Sequence, residues 1–215
     1  MQQPPKTLRF LFFSVVRLFV LVLLGMNVRR RHLLPKTGPA IVVANHNSHL
    51  DTLVLMSLFS LRSLPVIRPI AAADYFLKTR ALAWFATRLI GIIPMERGKA
   101  SRDFDPLKPC CDALDRGDII ILFPEGSRGE PEKLSQFKKG IAYLAERYPA
   151  VPVTPVFLHG LGKALPKDDF VFVPFFCDVF VGEPLGYQDN KNAYMETLNA
   201  RFKTLADEGH FSAWD

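Results

Sequence analysis

The sequence predicts an α/β domain, a single layered unit whose central, mostly parallel sheet is flanked by helices. Short apolar runs without polar alternation recur along the chain, as strands buried on both faces require; residues 118–123, Asp-Ile-Ile-Ile-Leu-Phe, are the clearest. Stretches of helical spacing separate these runs, so strands and helices alternate. A chain of 215 residues with 49% apolar composition can bury one sizeable core, which makes one domain the expectation.

Taken in order, residues 8–28 are apolar on nearly all sides, interrupted by Arg9 and Arg17 and followed at once by Arg29-Arg30-Arg31. The length is borderline for a membrane span. An arginine near the bilayer centre is costly, so a shallow interfacial helix or a helical hairpin is expected rather than a clean crossing. The arginine cluster suits anionic headgroups. Residues 1–34 are therefore read as an N-terminal membrane-associating segment and residues 35–215 as the α/β domain. The alternative reading of this segment is a buried helix of the core.

A Pro-flanked turn at residues 35–39 leads into a buried strand, residues 40–44, and then into a helix from Asp51 to about Ser60. Residues 64–72 read as a strand, placed at an edge or irregular because of Pro65 and Pro69. Residues 78–89 are helical and end at Gly91, and residues 92–98 form a strand running into a glycine turn. Residues 104–114 form a helix closed by Arg116-Gly117. The strand at 118–123 delivers Pro124-Glu125-Gly126-Ser127-Arg128 to its carboxyl end. A helix over 137–148 carries Lys138 and Lys139 at its start, and 151–158 is a further strand. Residues 170–176 and 178–182 are expected as a final strand pair. The tail, 192–206, is a helix with Leu198, Phe202 and Leu205 on one face.

The formal net charge is +6, and no Asp or Glu precedes Asp51, so the basic excess is largely N-terminal. That favours an acidic membrane surface. Nucleic acid is not expected, because the cations sit beside an apolar helix rather than among stacking aromatics. Cys110, Cys111 and Cys177 match neither a disulfide framework nor a zinc spacing, which points to a reducing compartment.

Chemistry concentrates at two strand exits. In Asn45-His46-Asn47-Ser48-His49-Leu50-Asp51, His46 stands at a strand tip and Asp51 in the first turn of the next helix. That is a plausible base with an orienting carboxylate. Ser48-x-x-Asp51 is also a capping-box-like pattern, and both readings stay open. A metal held by His46, His49 and Asp51 is a thin alternative with no further ligand cluster. The Glu125–Arg128 turn offers a hydroxyl, a guanidinium and exposed amides, which suits a phosphate. Lys138, at a helix start where the dipole disfavours cations, is a mild hint of an anionic ligand. Gly-x-Ser-x-Gly and a Walker loop are both absent.

Asn45-His46-x4-Asp51, residues 91–97, Phe123-Pro124-Glu125-Gly126-Ser127-Arg128 and residues 151–156, in this order, resemble the four motifs of the glycerolipid acyltransferases. The resemblance is to the 1-acylglycerol-3-phosphate (lysophosphatidate) acyltransferases above all. Ser127 stands where Thr is common, and the second motif ends Met95-Glu96-Arg97 rather than Asp-Arg. The resemblance implies that His46 is the catalytic base and Asp51 its partner. It also implies that Arg97, Glu125, Gly126, Ser127 and Arg128 help bind the acceptor; Asn45 and Lys138 complete the expected substrate-binding set.

The implied reaction moves an acyl group from acyl-CoA or an acyl-carrier protein to a lysophospholipid, most directly lysophosphatidate, in phospholipid biosynthesis. No metal and no cofactor beyond the thioester co-substrate are expected. Other lysolipid acceptors, an acylated amino acid lipid among them, remain alternatives, as do a hydrolase using the same His and Asp and a non-catalytic basic membrane-binding module. The expected location is the cytoplasmic face of a cell membrane.

Overall fold

In the computed structural model of the chain, the described residues are 6–76, 78–96, 104–129, 133–164, 175–188 and 190–211. Seven strands form one sheet in the order β1-β7-β6-β2-β5-β3-β4. They are β1 (Gly25–Arg29), β2 (Ala40–Ala44), β3 (Ile67–Ala72), β4 (Ile93–Met95), β5 (Ile119–Leu122), β6 (Val153–His159) and β7 (Phe176–Val181). Every pairing is parallel except β6 with β7. The carboxyl ends of β2, β3, β5 and β6 therefore open at one edge of the sheet.

The side-chain alternation of the two central strands divides the interior. Val42 of β2 with Ile119 and Ile121 of β5 enters one core, while Ile41 and Val43 with Ile120 and Leu122 enter the other. The first core is covered by α1 (Lys6–Leu23), α2 (Asp51–Leu58), a π-helical turn at Phe85–Ile90 and α7 (Leu161–Ala164). Short helices α3 (Ala73–Phe76) and α4 (Arg80–Trp84) lie between β3 and that π turn. The second core is covered by α5 (Lys108–Asp115), α6 (Gly140–Arg147) and α8 (Lys191–Asp207), with Leu198, Phe202 and Leu205 of α8 buried as its spacing predicts. An α/β layered fold with a mostly parallel sheet is thus what the chain adopts.

The N-terminal segment departs from its expected form. It is one helix and not a hairpin, since residues 25–29 leave the helix and pair with β7 as β1. Nor is it an appendage: Phe13, Val20 and Leu24 are buried in the first core. Arg9 turns inward, donating to the carbonyls of Ile90 (2.8 Å) and Ile67 (3.3 Å). It meets the π turn where Gly91, at φ +89°, closes it, and burial next to Arg68 pushes its guanidinium down to about 10. No helix among the described residues is long and apolar enough to cross a membrane.

The arginine cluster is also spoken for. Arg29 lies over the Phe180 ring at 4.9 Å. Arg30 donates to the Val181 carbonyl (2.8 Å) and pairs with Glu208 (2.9 Å). Arg31 donates to the Leu58 carbonyl at the end of α2 (2.7 Å). These cations are intramolecular fasteners, so a headgroup would have to compete for them.

Two strand assignments change as well. β3 lies inside the sheet, between β5 and β4, and not at its edge. Pro65 falls in a 3-10 turn (Leu64–Val66) before the strand, and Pro69 pairs with β5 one residue before pairing with β4 begins at Ile70. Residues 170–174 of the expected final pair lie outside the described residues, and Phe176–Val181 forms one strand, β7.

Because Phe13 is 1% exposed, Phe13→Ala should destabilise the protein by about 3–5 kcal/mol. Urea unfolding followed by circular dichroism measures this; an unchanged midpoint would mean that α1 is not part of the cooperative core.

Candidate active site

The parallel register of β2 with β5, Ala40 beside Ile119 through Val43 beside Leu122, sets their two exit loops side by side. The loops are then tied together at His46. The His46 N–H donates to Glu125 Oε1 at 3.1 Å, and the Gly129 N–H donates to the His46 carbonyl at 2.9 Å. The imidazole stacks on Phe123, with centroids 4.2 Å apart and planes inclined 23°. Its Nδ1 lies 2.8 Å from Asp51 Oδ2. A carboxylate can only accept, so Nδ1 carries the proton and Nε2 is the basic atom of this tautomer.

Asp51 is fully buried in the first turn of α2. Its Oδ2 also accepts from the N–H groups of Asn47 (2.7 Å) and Ser48 (2.9 Å). Capping and orienting, open alternatives in the sequence, are both realised by this one oxygen. The Ser48 hydroxyl completes only part of a capping box, accepting from the Leu50 N–H at 3.2 Å.

A cavity of about 600 Å³ opens in front of His46. Its polar side carries His49, Gly126, Ser127, Arg128 and Lys138, and its apolar wall is built from Ile70, Met95, Leu107, Leu122, Ile141 and Leu144. Gly126 has φ +73°, and a Cβ there would stand 2.5 Å from Lys138 Nζ, so the bare glycine lets the ammonium close over the loop. The Lys138 N–H in turn donates to the Pro124 carbonyl at 2.8 Å. Its neighbour Lys139 instead donates to Asn192 at 3.0 Å, on the surface. Arg128 Nη1 contacts both ring nitrogens of His49, Nδ1 at 2.7 Å and Nε2 more closely, and its guanidinium stands over the Tyr75 ring at 5.4 Å.

Two expected substrate-binding residues do not face this cavity. Asn45 is buried, and its amide both donates to the Leu158 carbonyl (2.8 Å) and accepts the Leu158 N–H (2.7 Å), extending the β2–β6 ladder past its last strand pair. It locks the loop and does not line the cavity. Glu125 points inward under the His46 backbone, and burial, opposed by the His46 N–H and Ser135, pushes its carboxyl up to about 7. Its contact with the site is the bond from the His46 N–H. Arg97 lies outside the described residues, although Glu96 just before it lines the cavity.

Sequence reasoning passed over Phe123, Tyr75 and the apolar wall, and weighed His49 only as a metal ligand. Phe123 was findable as the residue that ends the β5 run. Tyr75 carried no signal, since its place depends on how β3 and α3 fold back.

The sequence profile described as Acyltransferase matches residues 25–159, more than half of the chain. The chain belongs to the acyltransferase family. This acyltransferase is 32% identical over 142 residues to the chloroplastic 1-acyl-sn-glycerol-3-phosphate acyltransferase LPAT1 of Arabidopsis thaliana, covering 66% of the chain and 38% of that protein. It is 26% identical over 186 residues to 1-acyl-sn-glycerol-3-phosphate acyltransferase alpha of Homo sapiens, covering 84% and 60%. The chain thus spans 38% and 60% of the length of these two curated relatives. Its fold matches the crystal structure of PlsC, the 1-acyl-sn-glycerophosphate acyltransferase of Thermotoga maritima, with a TM-score of 0.74 at 21% identity, covering 100% of this chain and 86% of that one.

The raised Glu125 carboxyl has a consequence for stability. Below about pH 4.5 the group is protonated whether folded or unfolded, and above about 7 it is ionised in both, with the burial cost borne only by the folded state. Its contribution therefore falls as pH rises between those values. Glu125→Gln keeps an oxygen for the His46 N–H, so its thermal midpoint should rise relative to the wild type from pH 4.5 to 7. A difference independent of pH would contradict this.

Proposed function

We propose that this acyltransferase moves a fatty acyl group from an acyl thioester to the free hydroxyl of a lysophospholipid, with 1-acylglycerol-3-phosphate as the leading acceptor and phosphatidate as the product. The observation that carries this is the His46–Asp51 pair opening onto a cavity lined both by cations and by apolar side chains. The names borne by the curated relatives support the acceptor.

In this reading His46 Nε2 takes the proton of the acceptor hydroxyl while Asp51 stabilises the imidazolium that forms. The oxygen attacks the thioester carbonyl; the carbon–sulfur bond breaks as the ester bond forms, and His46 returns the proton to the departing thiolate. General base catalysis of this kind contributes about 10²–10⁴-fold, and holding both substrates together supplies the remainder. Arg128 grips the acceptor phosphate, with Ser127 and Lys138 beside it and Arg97 assigned to the same group. The apolar wall takes an acyl chain. Acyl-CoA and acyl-carrier protein both fit a basic cavity mouth, and both remain candidate donors.

The outer face of α1 gives the proposed membrane contact. Leu11, Val15, Leu18 and Val22 are 60–70% exposed, and their spacing of three and four residues makes one apolar stripe along the helix. Lying in the interface, such a stripe would hold the protein where lysolipids reside. The cytoplasmic face is the proposed side, in keeping with three free cysteines.

Purified protein with lysophosphatidate and each thioester donor is the primary test. His46→Ala should lower kcat at least about 100-fold without unfolding the protein; full activity in that variant would overturn the assignment, and free fatty acid in place of acylated lipid would indicate a hydrolase. Replacing Leu11 and Leu18 by Asp should lower activity on vesicle-embedded acceptor more than on a short-chain soluble one. Equal losses would count against membrane docking through α1. These outward substitutions are a cleaner test than truncation, which would also remove β1 and part of the core.

A further inference from the structure

Arg128 is a long side chain on a loop, and holding it in one place costs rotamer freedom unless neighbours restrain it. Here two other elements do so. His49, on the segment leading into α2, meets Arg128 Nη1 with both ring nitrogens, Nδ1 at 2.7 Å and Nε2 nearer still. Tyr75, on α3, lies beneath the guanidinium at 5.4 Å and also meets the Lys78 ammonium at 5.6 Å. All of His49, Tyr75 and Arg128 line the cavity.

We propose that His49 is a positioning residue, which aims Arg128 so that the site favours acceptors bearing a phosphate. This rests on the reading that Arg128 meets the acceptor phosphate. A guanidinium only donates, so whichever of the two ring nitrogens is unprotonated accepts from Nη1. No described residue takes a hydrogen bond from Arg128 Nε or Nη2, the edge that can grip two phosphate oxygens at once. The His49 contact therefore occupies the far corner of the fork and turns the bidentate edge toward a ligand.

The position of His49 is itself referenced to the base. The two backbone N–H groups just before it, Asn47 and Ser48, are held by the same Asp51 oxygen that orients His46. The phosphate anchor and the proton acceptor are thus set from one point, which fixes the span between an acceptor's phosphate and its reacting hydroxyl.

The test is a double-mutant cycle in the full-length protein, with lysophosphatidate and a phosphate-free monoacylglycerol as acceptors. A hydrogen bond involving a charged group corresponds to about 10–100-fold, so His49→Ala should raise the lysophosphatidate KM by about 10-fold or more and leave the donor KM unchanged. His49→Asn, whose side-chain oxygen stands near the place of Nδ1, should restore most of the affinity. In an Arg128→Ala background His49→Ala should add nothing, and with monoacylglycerol it should have no effect. Additive losses, equal rises in donor and acceptor KM, or the same loss with monoacylglycerol would overturn the proposal, as would an unchanged lysophosphatidate KM in His49→Ala. Should His49→Ala fail to fold, failure of His49→Asn to retain the wild-type KM would overturn it instead. If the wild type acylates no phosphate-bearing acceptor, the functional reading fails first, and that is a separate outcome.

Discussion

One carboxylate oxygen holds the candidate active site of this molecule in register. Asp51 Oδ2 accepts from the His46 ring and from two successive backbone N–H groups, so it fixes the tautomer of the imidazole and the path of the chain around it. Its own place is set by the first turn of α2, where the helix dipole favours a negative charge. His46 has a second support in the β5 loop, where Phe123 stacks on its ring and Glu125 and Gly129 hold its backbone. That loop reaches His46 only because β5 pairs with β2 in parallel, which puts both carboxyl ends at the same level. Brought together this way, two weak sequence signals become one site.

The same logic explains which parts were legible in the sequence. β2 and β5 were plain because uninterrupted apolar runs have no other comfortable place than a sheet covered on both faces. His46 and Asp51 are five residues apart, so their contact follows from local geometry. The turn of Asn45 toward a neighbouring strand was not legible, because a polar residue at a strand exit looks alike whichever way it faces; its partner, Leu158, is 113 positions away. Glu125 belongs to the right loop, but the direction of its side chain was not written in the spacing. Arg30 and Arg31 showed their charge and hid their partners, Glu208 and the Leu58 carbonyl. Pro69 argued for an edge, yet it is tolerated inside the sheet at the step where a neighbouring strand has not begun.

The N-terminal helix is the instructive case. A helix apolar on every side reads identically if both sides face lipid, if both face protein, or if one faces each. One side faces protein and the other is exposed: Phe13 and Val20 are buried while Leu18 and Val22 on the other side are open. The inward turn of Arg9 onto the Ile90 carbonyl settles the orientation of the helix about its axis, and periodicity alone had no means of finding that contact.

This placement has a consequence for traffic. The helix α1 covers the first core, whereas Ile70, Leu122, Ile141 and Leu144 of the cavity wall belong to the second, on the opposite face of the sheet. Ala71, Phe76 and Phe123 of the same cavity pack against the first core, so the cavity straddles the end of the sheet where β2 and β5 stop. If the bilayer lies against α1, that end is the way around the sheet, and a lipid taking it meets His46 and Arg128 at the rim before the apolar wall.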